Sequence, residues 1–410
     1  MNNTDPAGQQ KLIDLARQVL TDNYRQQPLV LVRGSGCRVF DASGERYLDL
    51  TAGIAACPLG HAHVGLGAAI AEQALKLIHV SNLFYNEPQI LLADELADRA
   101  VDMGPVRVFF CNSGAEANEA ALKLAKRYQT TVKGRADRVQ VLSFEGSFHG
   151  RTVATVALTG QEKYRSGFGP LIEWARIVPF PEGDGDTRAL DAITEHTCAV
   201  ILEPIQAEGG IRLWPPGYLA ALRKKCSDTG TVLIFDEVQT GVGRTGTFFG
   251  YEQEGCVPDV MSLAKGLAGG VPIGAMVANL EVAKGFAPGT HASTFGGNPL
   301  ATHAALEVLH IIESENLLAR VREAGELLAE GLGKLVEKYP GRAREVRGRG
   351  LLRGLLVDGD AAPIVARARE HKVLLSVAGG NVVRFAPPFI VSDAELVEGV
   401  DALDRALARS

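Results

Sequence analysis

Lys265, Asp236 and the Asn112-Ser113-Gly114 turn are the parts of this chain whose residue types and settings could do chemistry together. Lys265 lies in PDVMSLAKGLAGGVPIGA, after an apolar run that reads as a strand and before a glycine-rich stretch with almost no charge up to Leu280. A lysine in that setting is partly desolvated, which lowers its pKa and makes its amine a usable nucleophile or base. The usual fate of a lysine, a stem lying along the surface with its charge in water, is the competing reading. TVLIFDEVQTGVGRTG reads as a buried strand ending in Asp236-Glu237. A carboxylate at such a strand end is costly unless something cationic meets it, although a lone Asp more often ends in a structural ion pair or a cap. In FFCNSGAEANEAALKLAKRY, a strand ending at Phe110 passes through Asn112-Ser113-Gly114 into an alanine-rich helix. Backbone N–H groups at a helix N-terminus form an anion site, and glycine lets a phosphate approach. Ser113-x-x-Glu116 is equally a capping box that needs no ligand.

A lysine for a Schiff base, a carboxylate for a pyridinium nitrogen and a phosphate cradle are together what pyridoxal 5′-phosphate requires of a protein. Loops at the carboxyl ends of strands are where an open α/β sheet binds its ligands, so the surrounding elements must supply such a sheet. From about Ile90 to Leu280 the chain alternates helical patterns with short apolar runs: VRVFF, RVQVLSF, CAVILEP, TVLIFDEV and VMSLAKG. Continuous apolar runs separated by helices predict a buried, mainly parallel sheet. Upstream, residues 29–49 alternate around Gly-Ser-Gly and Ser-Gly turns and predict a small antiparallel meander. Long helical patterns fill residues 298–339. From Gly341 onward, GLLRGLLVD, VLLSVAG and NVVRFAPP with helices between them predict a second, smaller α/β unit.

Bulk composition narrows the function. The chain has 410 residues, 46% of them hydrophobic, which suffices for two domains and a large core. Lys and Arg number 42 against 48 Asp and Glu, a net charge of −6 with no basic block, so neither nucleic acid nor an anionic membrane is the expected partner. The first twenty residues lack an apolar core and do not read as a secretory signal. Residues 50–71 carry no Asp, Glu, Lys or Arg, but Pro58, several glycines and two histidines make them a buried, loop-rich segment. The six cysteines are scattered without a C-x-x-C pair. They read as reduced thiols in a cytoplasmic protein, and no metal site is expected.

Along nearly its whole length the chain resembles the class III aminotransferases, pyridoxal-phosphate enzymes of fold type I. SGAEANEAALKLAKRY, FHGRT, EPIQAEGG, FDEVQTGVGRTG, AKGLAGGVPIGA, STFGGNPLA and RFAPPFI follow the order and spacing of that family. The resemblance implies an α/β fold with a mainly parallel seven-stranded sheet in a large domain, residues 81–305. Residues 1–80, in part, and 306–410 would make the smaller domain from both termini. It implies that Lys265 carries the cofactor and shuttles the proton and that Asp236 pairs with the pyridinium nitrogen. Glu237, Val238 and Gln239 would contact the cofactor, with Ser113, Gly114 and Ala115 on its phosphate. Phe148 would stack on the ring, and Thr294 would reach the phosphate of a neighbouring subunit in a homodimer with shared active sites.

For the substrates, the resemblance implies that Arg384 grips the α-carboxylate of glutamate and that Arg151 holds the far carboxylate of an ω-amino donor. Glu203 would mask Arg384 while that donor is bound, and Ser293 would join the substrate site. The reaction implied is transfer of the ω-amine of N-acetyl-L-ornithine to 2-oxoglutarate, giving N-acetyl-L-glutamate 5-semialdehyde and L-glutamate in arginine biosynthesis. Relatives acting on succinylornithine, 4-aminobutyrate or a carrier-bound aminoadipate derivative are the alternative. An aminomutase would need no 2-oxoglutarate, and a silent cofactor-binding module would need none of these charged residues. Three positions depart from related sequences. Ala207 replaces a glycine, Val64 follows His63 where proline is usual, and Ile54 stands where ornithine aminotransferases carry a tyrosine that reads a free α-amine.

Overall fold

The computed structural model describes residues 6–183 and 185–408; the expected domain ends at residues 1–5 and 409–410 lie outside them. Its first sheet is the expected meander: β1 (Leu31–Ser35), β2 (Arg38–Asp41) and β3 (Arg46–Asp49) pair antiparallel. Asp41 closes the second turn by accepting from the backbone N–H of Ser43 and of Glu45, both at 2.9 Å, the local use of Asp that turns favour.

The large sheet has seven strands: β4 (Val106–Cys111), β5 (Gln140–Phe144), β6 (Ala175–Val178), β7 (Thr197–Leu202), β8 (Val232–Asp236), β9 (Val260–Leu263) and β10 (Gly274–Asn279). Their order is β4-β10-β9-β8-β7-β5-β6. β6, β5, β7, β8 and β9 pair in parallel, while β10 runs antiparallel between β4 and β9. Every residue of β7 and β8 is buried, as a sheet covered on both faces demands. The five apolar runs read from the sequence are strands here. β10 comes from within the glycine-rich stretch after Lys265, and β6 is a four-residue edge strand.

A third sheet contains β11 (Ala343–Arg349) and β12 (Leu352–Val357). VLLSVAG, which reads as one run, is divided: β13 (Val373–Leu374) leaves for the first sheet, while β14 (Ser376–Ala378) stays in the third beside β15 (Val382–Phe385). β13 pairs in parallel with β3, Val373 opposite Leu48, so the first sheet takes strands from both halves of the chain. The helix Asp393–Ala408 adds to that junction, where Arg38 donates to both carboxylate oxygens of Glu398 at 2.8 and 2.7 Å. No helix among the described residues is long and apolar enough to cross a membrane.

Candidate active site

β4, β5, β7, β8 and β9 all deliver their C-terminal loops to one cavity of about 390 Å³, within the range of small-molecule sites. Ser113, Gly114, Ala115, Phe148, Arg151, Glu203, Asp236, Val238, Gln239 and Lys265 line it, together with Glu208, whereas Arg384 lies behind Glu208 and Gln239.

At the end of β4, Ser113 caps the helix Gly114–Arg127, its Oγ accepting from Glu116 N at 3.2 Å. The Glu116 carboxylate reaches one residue further back than a capping box requires, onto Asn112 N at 2.6 Å and Asn112 Nδ2 at 2.9 Å. The first intrahelical bond runs from Ala117 N to Ser113 O, so the N–H groups of Gly114 and Ala115 precede the ladder and stay available. A helix cap and free N–H groups facing the cavity therefore coexist. A side chain on Gly114 would place its Cβ 2.7 Å from both Val238 methyls, so only glycine keeps this cradle open.

Asp236 ends β8 at 4% exposure and carries no cationic lysine or arginine partner among the described residues. Its Oδ2 accepts from Asn118 Nδ2 at 2.7 Å and faces His149 Nδ1 at 2.8 Å, and its Oδ1 accepts from Val238 N at 3.1 Å. Opposite a carboxylate, Nδ1 is the donor. Asn118 is itself fixed, donating to His149 O at 2.8 Å and accepting from Ser262 Oγ at 2.6 Å. A buried, rigidly held carboxylate at the cavity wall is what a cationic ring nitrogen needs.

Lys265 follows β9 with φ +44°, a left-handed conformation rare outside glycine and costing about 1–3 kcal/mol. Burial lowers its pKa; Glu208, Asp236 and Glu203 oppose that and Arg384 adds to it, and the net direction is down. The amine is thereby shifted toward its nucleophilic form. Lysine, buried carboxylate and open helix terminus around one cavity fit pyridoxal 5′-phosphate in the chemistry of every group.

The expected mask of Arg384 requires correction. Arg384 Nη1 lies 2.5 Å from Oε1 of Glu208, not of Glu203, and also donates to Gln239 Oε1 at 3.2 Å. Burial opposes ionisation of Glu208, but Arg384 and Lys265 outweigh it and hold its carboxyl below the usual range. Glu203 faces backbone instead: Oε1 accepts from Phe148 N at 2.9 Å and Oε2 from Ala207 N at 3.0 Å. Buried and beside Asp236, its carboxyl is pushed upward. It ties the loop after β5 to the loop after β7. Ala207, the departure from the usual glycine, packs its methyl among Ile205, Ile211 and Val382.

Arg151 lies at the cavity mouth with its guanidinium 4.1 Å from the ring centre of Tyr164, and Tyr164 meets Phe148 edge-on at 5.5 Å. Three further expectations are not met within one chain. Glu237 turns away from the cavity, as alternation after Asp236 dictates, and accepts from Gly250 N at 3.0 Å, Tyr251 N at 2.7 Å and Thr240 Oγ1. Ser293 and Thr294 line a separate depression with Asn112 and His291. Ser293 Oγ accepts from Gly296 N at 3.0 Å, and Thr294 is exposed. Ile54 is half exposed, and Val64 is exposed.

Sequence reasoning missed Glu208, Asn118, His149 and Tyr164. Glu208 was in view inside EPIQAEGG, and Asn118 is a polar residue on the alanine-rich buried face of its helix. Nothing in the spacing singles out Tyr164.

Residues 19–407 match the family described as aminotransferase class-III. The chain is 51% identical over 395 residues to an acetylornithine aminotransferase of Gloeobacter violaceus, covering 96% of each. Among solved structures, an N-acetylornithine aminotransferase from Stenotrophomonas maltophilia is 37% identical with a TM-score of 0.81, covering 97% of this chain and 98% of that one. An ornithine aminotransferase from Toxoplasma gondii, whose structure has partial occupancy of pyridoxal phosphate at its active site, is 32% identical with a TM-score of 0.90, covering 98% of this chain and 94% of the other.

Proposed function

The chain belongs to the class-III aminotransferases, and we propose on that premise that it transfers the ω-amine of N-acetyl-L-ornithine to 2-oxoglutarate. The products are N-acetyl-L-glutamate 5-semialdehyde and L-glutamate, a step of arginine biosynthesis, and the cofactor is pyridoxal 5′-phosphate. The observation that carries the reading is the pairing of a buried arginine, Arg384, with Glu208, a carboxylate that lines a cavity holding a second arginine, Arg151. A site that must accept both an ω-amine and an α-amino acid needs one cation that can be covered and uncovered.

When bound, the cofactor supplies an electron sink for the carbon that loses its proton. Lys265 would hold the cofactor through its Nζ, and the same amine would move that proton. Asp236, braced by Asn118 and His149, keeps the ring nitrogen protonated. Gly114 and Ala115 N–H, with the helix behind them, hold the phosphate, and Ser113 shapes that turn. Phe148, Val238 and Gln239 confine the ring. Arg151 takes the far carboxylate of the donor as a charge-assisted pair. While the donor is bound, Glu208 covers Arg384. When glutamate enters, Glu208 yields and Arg384 takes the α-carboxylate.

We also propose a homodimer in the cytoplasm. The consecutive residues Leu83, Phe84 and Tyr85 are 85%, 69% and 94% exposed, an apolar run that calls for a cover. Thr294 would meet the cofactor phosphate of the second subunit. The test is a panel of amine donors with 2-oxoglutarate and purified holoenzyme. N-acetylornithine should give glutamate faster than N-succinylornithine, ornithine or 4-aminobutyrate. Glutamate formed fastest from ornithine or 4-aminobutyrate would reject the donor assignment.

A further inference from the structure

The guanidinium of Arg384 has two ends with different partners. Nη1 faces the cavity side, on Glu208 and Gln239. Nε donates to Ser376 Oγ at 3.0 Å. Nη2 makes no hydrogen bond among the described residues. Ser376 and Arg384 are directly opposed in register on β14 and β15, so their side chains share a face and the contact is set by the sheet. The Arg384 side chain is 3% exposed, so its hydrogen bonds are made to protein groups.

Resting on the transaminase reading above, we infer that Ser376 is a positioning residue for the α-carboxylate half of the reaction. It pins Nε, so that release of Glu208 frees Nη1 and leaves Nη1 and Nη2 as a ready fork. The α-carboxylate is then taken end-on by those two nitrogens, and Nε never changes partner. Without Ser376 the planar group swivels about its stem, and the carboxylate must order it on binding, a cost that falls on affinity. The ω-amino donor, which meets Arg384 only in its covered form, is indifferent to the change.

Single-turnover reaction of the Ser376→Ala holoenzyme with glutamate tests this. The apparent Kd for glutamate should rise about tenfold, the worth of one hydrogen bond to a charged group. The limiting rate and the N-acetylornithine half-reaction should stay within about twofold. Glutarate, which cannot react, should lose the same affinity by calorimetry. Ser376→Thr keeps the hydroxyl and should restore binding, whereas Ser376→Val should not; that pair carries the test should the alanine variant not fold. In an Arg384→Lys background, which has no Nε, Ser376→Ala should do nothing further. Unchanged glutamate affinity, an equal loss in both half-reactions, or an undiminished effect in the Lys background would overturn the role of Ser376. Wild-type protein that reacts with glutamate but not with N-acetylornithine would instead reject the donor assignment and leave this arm readable.

Discussion

Arg384 meets Glu208, Nη1 to Oε1 at 2.5 Å, and Glu208 lines the cavity that Lys265 also lines. Glu208 comes from the loop after β7 of the large sheet, Arg384 from β15 of the third sheet. The pair therefore joins the large sheet to the third sheet beside the site.

The first prediction concerns Lys265. Its pKa is lowered, chiefly by burial, which favours the free amine relative to an ordinary lysine. Apoprotein should accordingly capture the cofactor at neutral pH. Borohydride reduction followed by peptide mapping should place the pyridoxyl group on Lys265, and Lys265→Ala should yield none. An adduct on another lysine contradicts the assignment.

Asp236→Asn should keep the fold, because an amide oxygen can still accept from Asn118 and His149, at the loss of the one hydrogen bond from the Val238 N–H. Turnover should nonetheless fall by roughly two or more orders of magnitude, since the ring nitrogen loses its anion. Near-normal turnover in cofactor-saturated protein would make the carboxylate structural.

Tyr164 supports Arg151 through its ring, not its hydroxyl. Tyr164→Phe should leave the KM for the ω-amino donor near wild type, while Tyr164→Leu should raise it roughly two- to fivefold, the range of an exposed cation–π contact. Equal effects of the two variants would dismiss the platform.

Much of this molecule was readable before its structure. Apolar runs marked β4, β5, β7, β8 and β9, because a strand buried on both faces announces itself by composition. β6 and β10 were not marked: the first is four residues at an edge, and the second hides in a glycine-rich run. The division at Leu375 was invisible, since periodicity says nothing about which sheet a strand joins. Lys265, Asp236 and the Ser113 turn were legible because each follows an apolar strand. The misassignment of Glu203 has a plain cause. Glu203 and Glu208 sit in one irregular loop, where no period tells which carboxylate faces Arg384 and which faces backbone. Ser293 and Thr294 lie outside the cavity of one chain, a placement that only tertiary structure reveals.

The pairing of Arg384 with Glu208 is tested most directly by single-turnover spectra of Glu208→Gln with each substrate alone. The lowered carboxyl pKa keeps Glu208 ionised, and the cover in place, at neutral pH; its loss belongs below the usual carboxylate range. Removing the charge should leave the glutamate half-reaction as fast as wild type or faster. The N-acetylornithine half-reaction should slow by about ten- to a hundredfold, the worth of one charge-assisted contact of about 1.5–3 kcal/mol. Glu203→Gln, altering a carboxylate that holds the Phe148 and Ala207 backbone, should slow both half-reactions together. A Glu208→Gln protein that loses both equally, or a Glu203→Gln protein that loses only the donor half-reaction, would contradict the account.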